Sequence, residues 1–345
     1  MSKIVYGIDE LVGNTPLLEL KNFEQKYDLQ AHILAKLEYF NPSGSVKDRA
    51  ALQMLLAAEE EGLIAPGDTI VEQTSGNTGI GLAAFAVARG YRMEIFLERG
   101  ASEERRLMLE AYGSKLLDYK DALGIKTQEE RKAGWQEPER EATLKEIYEY
   151  CERQDSPHYF INQVTNVNNP QAHVRTTGPE IWDATDGKVD ILVCMVGTGG
   201  TAAGLSEYLR GKNPDIQIVL VQPAPESRLT PEHPDVEIID GVLPFHGVPK
   251  EDEPKFFTGH IYDDYMDVST HQAFETARDV VKTDGILIGT SSAASLYAAK
   301  ELAAKAENKN KNIVVIMPDN GMKYLSTNLF RGGKIERKDF TLMAT

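Results

Sequence analysis

Lys47 stands in the run Asn41-Pro42-Ser43-Gly44-Ser45-Val46-Lys47-Asp48-Arg49, between a strand-like segment, His32 to Phe40, and a helix-like one, Asp48 to Glu60. At such a junction the ammonium meets the positive end of the helix dipole and sheds part of its hydration. Both effects raise the fraction of neutral, nucleophilic amine. A lone lysine there would be an ordinary basic residue in an N-terminal turn. Four other segments, however, also sit at strand ends or helix starts, where an open α/β sheet places ligands.

Thr74-Ser75-Gly76-Asn77-Thr78-Gly79 follows the strand-like Thr69 to Gln73 and precedes a helix. Backbone N–H groups at a helix start, with the Thr74, Ser75 and Thr78 hydroxyls and the Asn77 amide beside them, can grip a carboxylate. A capping turn would use only part of this set. Gly197-Thr198-Gly199-Gly200-Thr201 follows the strand-like Ile191 to Val196. Its glycines let backbone close round a phosphate at a helix N-terminus. A dinucleotide would suit that loop too, but the next strand ends in Gln222, where a nicotinamide fold wants an acid. No Gly-Lys-Ser/Thr ending marks a nucleoside triphosphate loop, so a single terminal phosphate fits better. Gly289-Thr290-Ser291-Ser292 and Pro318-Asp319-Asn320-Gly321 read as caps and turns, and their positions also suit lining a pocket. A reactive lysine, a phosphate cup and a carboxylate grip together describe a pyridoxal phosphate site working on an amino acid. The cofactor would supply the electron sink, and the protein the imine lysine, the anchor and the orientation.

The elements that must position these groups alternate along the chain. Strand-like runs lie near Ile33 to Leu37, Thr69 to Gln73, Met93 to Leu97, Lys115 to Tyr119, His158 to Ile161, Ile191 to Val196, Ile216 to Val221 and Ile313 to Met317. Several are apolar throughout, as expected of parallel strands covered on both faces. Helix-like stretches intervene at Ile80 to Arg89, Ser102 to Tyr112, Pro170 to Trp182 and Ala202 to Leu209. The pattern is α/β and doubly wound, and 345 residues suffice for two such lobes.

Composition narrows the partners. With 37 Lys+Arg against 53 Asp+Glu the net charge is −16, which argues against nucleic acid or an anionic membrane as main partner. No apolar run approaches a membrane span, and the start lacks a signal-peptide core, so the cytoplasm is the expected compartment. Cys151 and Cys194 make no zinc spacing, so neither metal nor disulfide is expected, and Cys194 reads as a core residue. Two regions break the alternation. From Asp121 to Gln154 the chain is highly charged, with a helix opening at Pro138 that puts Leu144, Ile147, Tyr148 and Cys151 on one face. It reads as a solvated surface helix, with a lid or dimer contact around Trp135 as the alternative. From Gln222 to Asp267 a long stretch rich in Pro, Gly and His suggests a functional loop.

Val12-Gly13-Asn14-Thr15-Pro16-Leu17, the Asn41 to Arg49 run, the Thr74 to Gly79 segment, Thr176-Thr177-Gly178-Pro179-Glu180-Ile181-Trp182, the Gly197 to Thr201 loop and Tyr324-Leu325-Ser326-Thr327 occur in an order that resembles the cysteine synthase and cystathionine β-synthase family. These are the β-replacement branch of the fold-type II pyridoxal phosphate enzymes, and the resemblance spans nearly the whole chain. It implies two open-sheet lobes with the cofactor in the cleft between them. A smaller, mobile lobe, 41–161, would carry the carboxylate loop, and 1–40 plus 162–345 would carry the phosphate cup. A homodimer is implied as well. Lys47 would form the imine with the cofactor and later move the Cα proton. Asn77 would bond the ring hydroxyl, and Thr74, Ser75, Gly76 and Thr78 with Gln163 would hold the substrate carboxylate. Gly197, Thr198, Gly199, Gly200 and Thr201 would bind the phosphate, and Asn320 takes the place of a hydroxyl residue against the pyridine nitrogen.

The implied reaction is loss of a β-substituent to give aminoacrylate, followed by addition of a nucleophile. Cysteine synthesis from O-acetylserine and sulfide leads. A cysteine-consuming lyase that releases hydrogen sulfide, with water or a thiol as nucleophile, stands close behind it, and cystathionine formation is third. A dehydratase matches the Thr74 to Gly79 segment less well. From other classes, a non-catalytic amino-acid-binding protein is opposed by Lys47, and a dinucleotide oxidoreductase by Gln222. Departures from the family bear on the substrate: Gln73, Arg99 to Ser102, Ala293, and above all Gly241-Val242-Leu243-Pro244-Phe245-His246 in place of a glycine-rich wall. Asp240, His246, Glu232 and Asp235 are accordingly candidates for altered chemistry, although each is also an ordinary loop residue.

Overall fold

A computed structural model describes residues 4–74, 76–97, 101–123, 143–230 and 236–331. Ten strands form two sheets. In chain order they are β1 (Leu17–Glu19), β2 (His32–Leu37), β3 (Thr69–Thr74), β4 (Arg92–Leu97), β5 (Lys115–Leu117), β6 (His158–Phe160), β7 (Ile191–Met195), β8 (Gln217–Pro223), β9 (Asp264–Val268) and β10 (Asn312–Met317). The larger sheet runs β1-β2-β10-β7-β8-β9, and the smaller runs β5-β4-β3-β6. All pairings are parallel except β1 with β2. The protein is thus α/β with two open sheets, the architecture of the fold-type II enzymes.

The apolar runs behave as parallel strands should. β7 is buried at every position, and β10 from Ile313 on. The larger sheet carries a core on each face, one around Phe23, Ile191, Val315 and the helix Thr290–Ala303, the other around Leu192, Leu205, Ile218 and Ile316. The smaller sheet packs the helices Lys47–Glu60 and Asn77–Arg89 through Met54, Leu55, Ile80 and Phe85. Cys194 is fully buried, as its neighbours imply.

Three adjacent strands of the larger sheet aim their carboxyl ends at one place. β2 leads into Asn41 to Lys47, β7 into Gly197 to Thr201, and β10 into Pro318 to Gly321. In the smaller sheet β3 leads into Thr74 to Thr78, β4 toward Ser102 and Arg105, and β6 into Asn162 and Gln163.

Several elements depart from the sequence reading. The strand at Lys115 stops at Leu117, and Tyr119 already begins the short helix Tyr119–Leu123. The stretch from Pro170 to Trp182 divides into Asn168–Ala172, a π turn at His173–Thr177, and Gly178–Ala184. The helix Leu144–Glu152 opens on a capping box at Thr143 and Glu146, and it is a surface helix with one buried face. It buries Ile147 and Tyr150 against Val71, Phe96 and Phe160, while Tyr148 stays exposed. Pro138 and Trp135 lie outside the described residues.

Candidate active site

Lys47 is the first residue of the helix Lys47–Glu60. Its turn is stitched to the end of β10: Val46 N–H donates to Pro318 O at 2.8 Å, and Ser45 forms an isolated bridge with Asp319. Burial pushes the Lys47 ammonium below its ordinary range, with Cys194 and Asp319 pulling the other way. Burial pushes the Cys194 thiol up to about 12, so it stays protonated next to the amine.

What holds that helix start is a buried ion cluster built from three of the family-like motifs. Arg49 donates from Nε to Glu38 at 2.6 Å and from both terminal nitrogens to Glu180 at 2.7 Å. Lys36 donates to Glu180 Oε2 at 2.7 Å and to Thr15 O at 2.6 Å. Asn14 N–H donates to Glu180 Oε1 at 2.9 Å. Gly13 is at φ +90°, and a Cβ there would lie 2.9 Å from Glu180 Oε1 and 3.0 Å from Arg49 Nη1. Residues 12–17, 41–49 and 176–182 therefore meet around one guanidinium.

The glycine cup fits a phosphate. Gly199 is at φ +85° and caps the helix Gly200–Lys212. A Cβ at Gly197 would come 2.6 Å from Gly241 O, and one at Gly200 would come 2.2 Å from Asn169 Oδ1, so only glycine fits these two walls. Thr201 Oγ1 lies 3.1 Å from His173 Nε2. His173 is buried inside the π turn, and burial, then Arg49 and Lys47, hold its imidazole neutral.

The carboxylate loop is joined to the cup. Thr78 Oγ1 donates to Gln163 Oε1 at 2.6 Å, and Gln163 Nε2 donates to Gln73 O at 3.1 Å. Asn169 Nδ2 donates both to Gln163 O at 2.8 Å and to Thr198 Oγ1 at 3.1 Å. Gly76 N–H donates to Thr74 Oγ1 at 3.0 Å. Ser75 lies outside the described residues.

Asn77 is oriented from both sides. Lys323 Nζ donates to its Oδ1 at 2.9 Å, and its Nδ2 donates to Asp319 Oδ2 at 2.8 Å. These two bonds fix which end of the amide is the oxygen and leave its second N–H to serve as a donor. Asp319 is fully buried, accepts from Tyr324 O–H as well, and leaves Oδ1 without a partner. Asn320 accepts from Met322 N–H at 3.0 Å through Oδ1, which keeps its amide N–H₂ for another acceptor.

The unusual wall crosses the mouth of the cup. Gln222 Oε1 accepts from the N–H groups of Phe245 and His246, both at 2.9 Å, and Leu243 N–H donates to Val196 O at 2.7 Å. Phe245 packs edge-on against Tyr262 and Phe257. His246 is exposed and stacks on Tyr265 with ring centres 3.9 Å apart, so it anchors the wall from outside. Glu232 and Asp235 lie outside the described residues, as do Arg99 and Gly100.

The family model for "Pyridoxal-phosphate dependent enzyme" matches residues 8–319. The chain belongs to that family. Cysteine synthase from Staphylococcus aureus (strain N315) is 40% identical over 329 residues, covering 95% of this chain and 98% of that protein. Among solved structures, O-ureido-L-serine synthase is similar with a TM-score of 0.79 and 32% identity, covering 98% of each chain. A hydrogen sulfide-producing enzyme from Fusobacterium nucleatum is similar with a TM-score of 0.76 and 33% identity, covering 93% of this chain and all of the other. The chain presents a lysine, a glycine cup and a polar loop whose chemistry fits the pyridoxal phosphate of this family.

Arg105, Asn169, His173 and Lys323 were absent from the sequence reading. Each is ordinary in its local run, and each acquires its role from a partner remote in sequence.

Proposed function

We propose that this enzyme carries out β-replacement on an activated serine, taking O-acetylserine and sulfide to cysteine. The observation that supports the reading is Lys47, desolvated at a helix start with Asp319 as an electrostatic neighbour, the same Asp319 that accepts from the Asn77 amide. The full-length likeness to a cysteine synthase supports the choice of substrate class.

Bound pyridoxal phosphate supplies the aldehyde for the lysine and an electron sink next to the substrate Cα. The chain's own residues do the rest. Backbone N–H groups from Gly197 to Thr201 hold the phosphate at the N-terminus of their helix. Asn77 donates to the ring hydroxyl, and Asn320 offers its uncharged amide to the ring nitrogen, which limits ring protonation and favours departure of the β-substituent. Thr74, Ser75, Gly76, Thr78 and Gln163 orient the carboxylate. Lys47 would hold the cofactor through its aldehyde carbon and, as a neutral base, would take the Cα proton of the substrate and later return it. We further propose that 41–161 acts as the mobile lobe and that the enzyme is a cytoplasmic homodimer. Exposed Ile4, Tyr6 and Leu11 offer apolar surface to a second copy. No helix among the described residues is long and apolar enough to cross a membrane.

A second reading, release of hydrogen sulfide from cysteine, is favoured by the wall, where Leu243 and Phe245 stand in place of the glycines expected of a synthase. Mixing the cofactor-loaded protein with O-acetylserine or with cysteine separates the two. The synthase reading expects O-acetylserine to change the visible spectrum and sulfide to restore it with cysteine formed. A change with cysteine alone, with sulfide released, overturns it. Lys47→Ala is expected to lose borohydride fixation of the cofactor and at least about 10²-fold in turnover.

A further inference from the structure

Arg105 leaves the helix Glu103–Ala111 and runs beneath the carboxylate loop. A Cβ on Gly76, which is at φ +139°, would lie 2.5 Å from its Cδ. Its guanidinium centre stands 4.7 Å over the Tyr324 ring, and Nη1 donates to Asp240 Oδ1 at 3.2 Å. The arginine is 2% exposed. Asp240 immediately precedes the wall. Its backbone N–H donates to Thr290 Oγ1 at 3.1 Å, and that hydroxyl reaches back to Asp240 Oδ2 at 3.4 Å. The next residue, Gly241, sets its carbonyl against Gly197 of the cup.

One continuous line of contacts therefore runs from Gly76 through Arg105 and Asp240 to Gly241 and Gly197. Its first two members belong to the smaller sheet's connections and the rest to the larger sheet's. We propose that the Arg105–Asp240 pair is a tie that makes closing of the carboxylate loop on an amino acid set the position of the wall facing the β-substituent. This rests on the reading of residues 74–78 as the carboxylate grip. The pair positions; it takes no proton and touches no reacting atom.

The chemistry suits such a tie. Charge-assisted hydrogen bonds are short-range and directional, so a shift of the loop that moves the guanidinium also moves or breaks its bond to Asp240. Removing either partner breaks the same charge-assisted bond, so the effects of the two side chains are expected to be coupled and not additive. Packing alone would transmit no such dependence on charge.

Hydrogen exchange on the cofactor-loaded enzyme, with and without alanine, tests this. Alanine carries the carboxylate and amine but has no β-substituent to lose. In the unaltered protein alanine is expected to slow exchange at least about threefold in peptides covering 74–82 and also in peptides covering 236–248. In Arg105→Gln and in Asp240→Asn, protection of 74–82 should remain and protection of 236–248 should vanish. Arg105→Lys, which keeps the charge, should restore part of it. The double variant should bind alanine, followed by the visible spectrum, within about twofold of either single. Equal wall protection in the unaltered and Arg105→Gln proteins overturns the tie, as do additive single effects. Should Arg105→Gln fail to fold by its melting curve, Asp240→Asn and Arg105→Lys carry the same comparison. If alanine protects nothing at 74–82 in the unaltered protein, the reading of the grip falls and the tie with it.

Discussion

At the scale of the residue, the site works by denying groups their ordinary partners. Burial lowers the pKa of the Lys47 ammonium, so the neutral amine is more populated than on an exposed lysine. His173 is likewise kept neutral, so its contact with Thr201 adds no charge to the glycine cup. The cup depends on missing side chains. Gly197→Ala must push its new methyl into Gly241 O, so we expect cofactor affinity to fall at least about tenfold, roughly 1.4 kcal/mol, by fluorescence titration of the apoenzyme. Retention of full affinity would mean the wall yields freely there. Lys47, the cup and the Thr74 to Thr78 loop were legible because each is a local run with its own chemistry. Arg105 and Lys323 were not. A basic residue in Glu103-Glu104-Arg105-Arg106 looks solvated, and only the fold brings Asp240, 135 positions away, against it.

At the scale of the element, the catalytic helix is held by charges that the sequence scatters. Glu180 receives Arg49 and Lys36, and these hold its carboxyl down at about 2 against an ordinary 4.5. A depressed carboxyl contributes stability that is whole above about pH 4.5 and lost as pH falls toward 2. The shift corresponds to about 3 kcal/mol, lowered to roughly 2–3 because 17% of the side chain remains exposed. Glu180→Gln should lose that amount in urea unfolding at pH 7. Its deficit relative to the unaltered protein should shrink as pH falls from 4.5 toward 2. A deficit that does not change with pH would assign the loss to packing instead. The central strands and most helices followed from apolar runs and periodicity, but β1 and β9 did not. β1 is three residues long, and β9 is the edge strand Asp-Tyr-Met-Asp-Val, too polar to announce itself. The helix Thr270–Thr283 was passed over although Ser269 and Gln272 form its capping box. The wall's anchorage was hidden as well. Gln222 spoke only against a dinucleotide, yet its amide carries the backbone of Phe245 and His246.

At the scale of the molecule, the cofactor is a structural member as well as a reagent. On the proposed site, loops from β2, β7 and β10 in the larger sheet and from β3 and β6 in the smaller would hold it, so it would bind the native arrangement and not the unfolded chain. A ligand at 100 times its dissociation constant adds about 2.7 kcal/mol. Removing pyridoxal phosphate should therefore lower the melting temperature by about 4 °C in a calorimetric scan, and adding it back should restore the difference. An apoenzyme that melts with the holoenzyme would show that the two sheets are joined without it. The net charge of −16 said which macromolecules to exclude but nothing of this cleft, where the described cations Lys36, Lys47, Arg49, Arg105 and Lys323 are all withdrawn from solvent.

The strand order has a consequence for how the chain comes off the ribosome. β10 ends at Met317 and sits between β2 and β7, pairing Ile313 with both Ile33 and Ile191. Until Asn312–Met317 emerges, the larger sheet is two unjoined pieces with a strand-wide gap. The smaller sheet, complete by Phe160, can already be assembled. Nascent chains should thus carry a finished small sheet while β2 and β7 wait, open to mispairing, for a partner synthesised last.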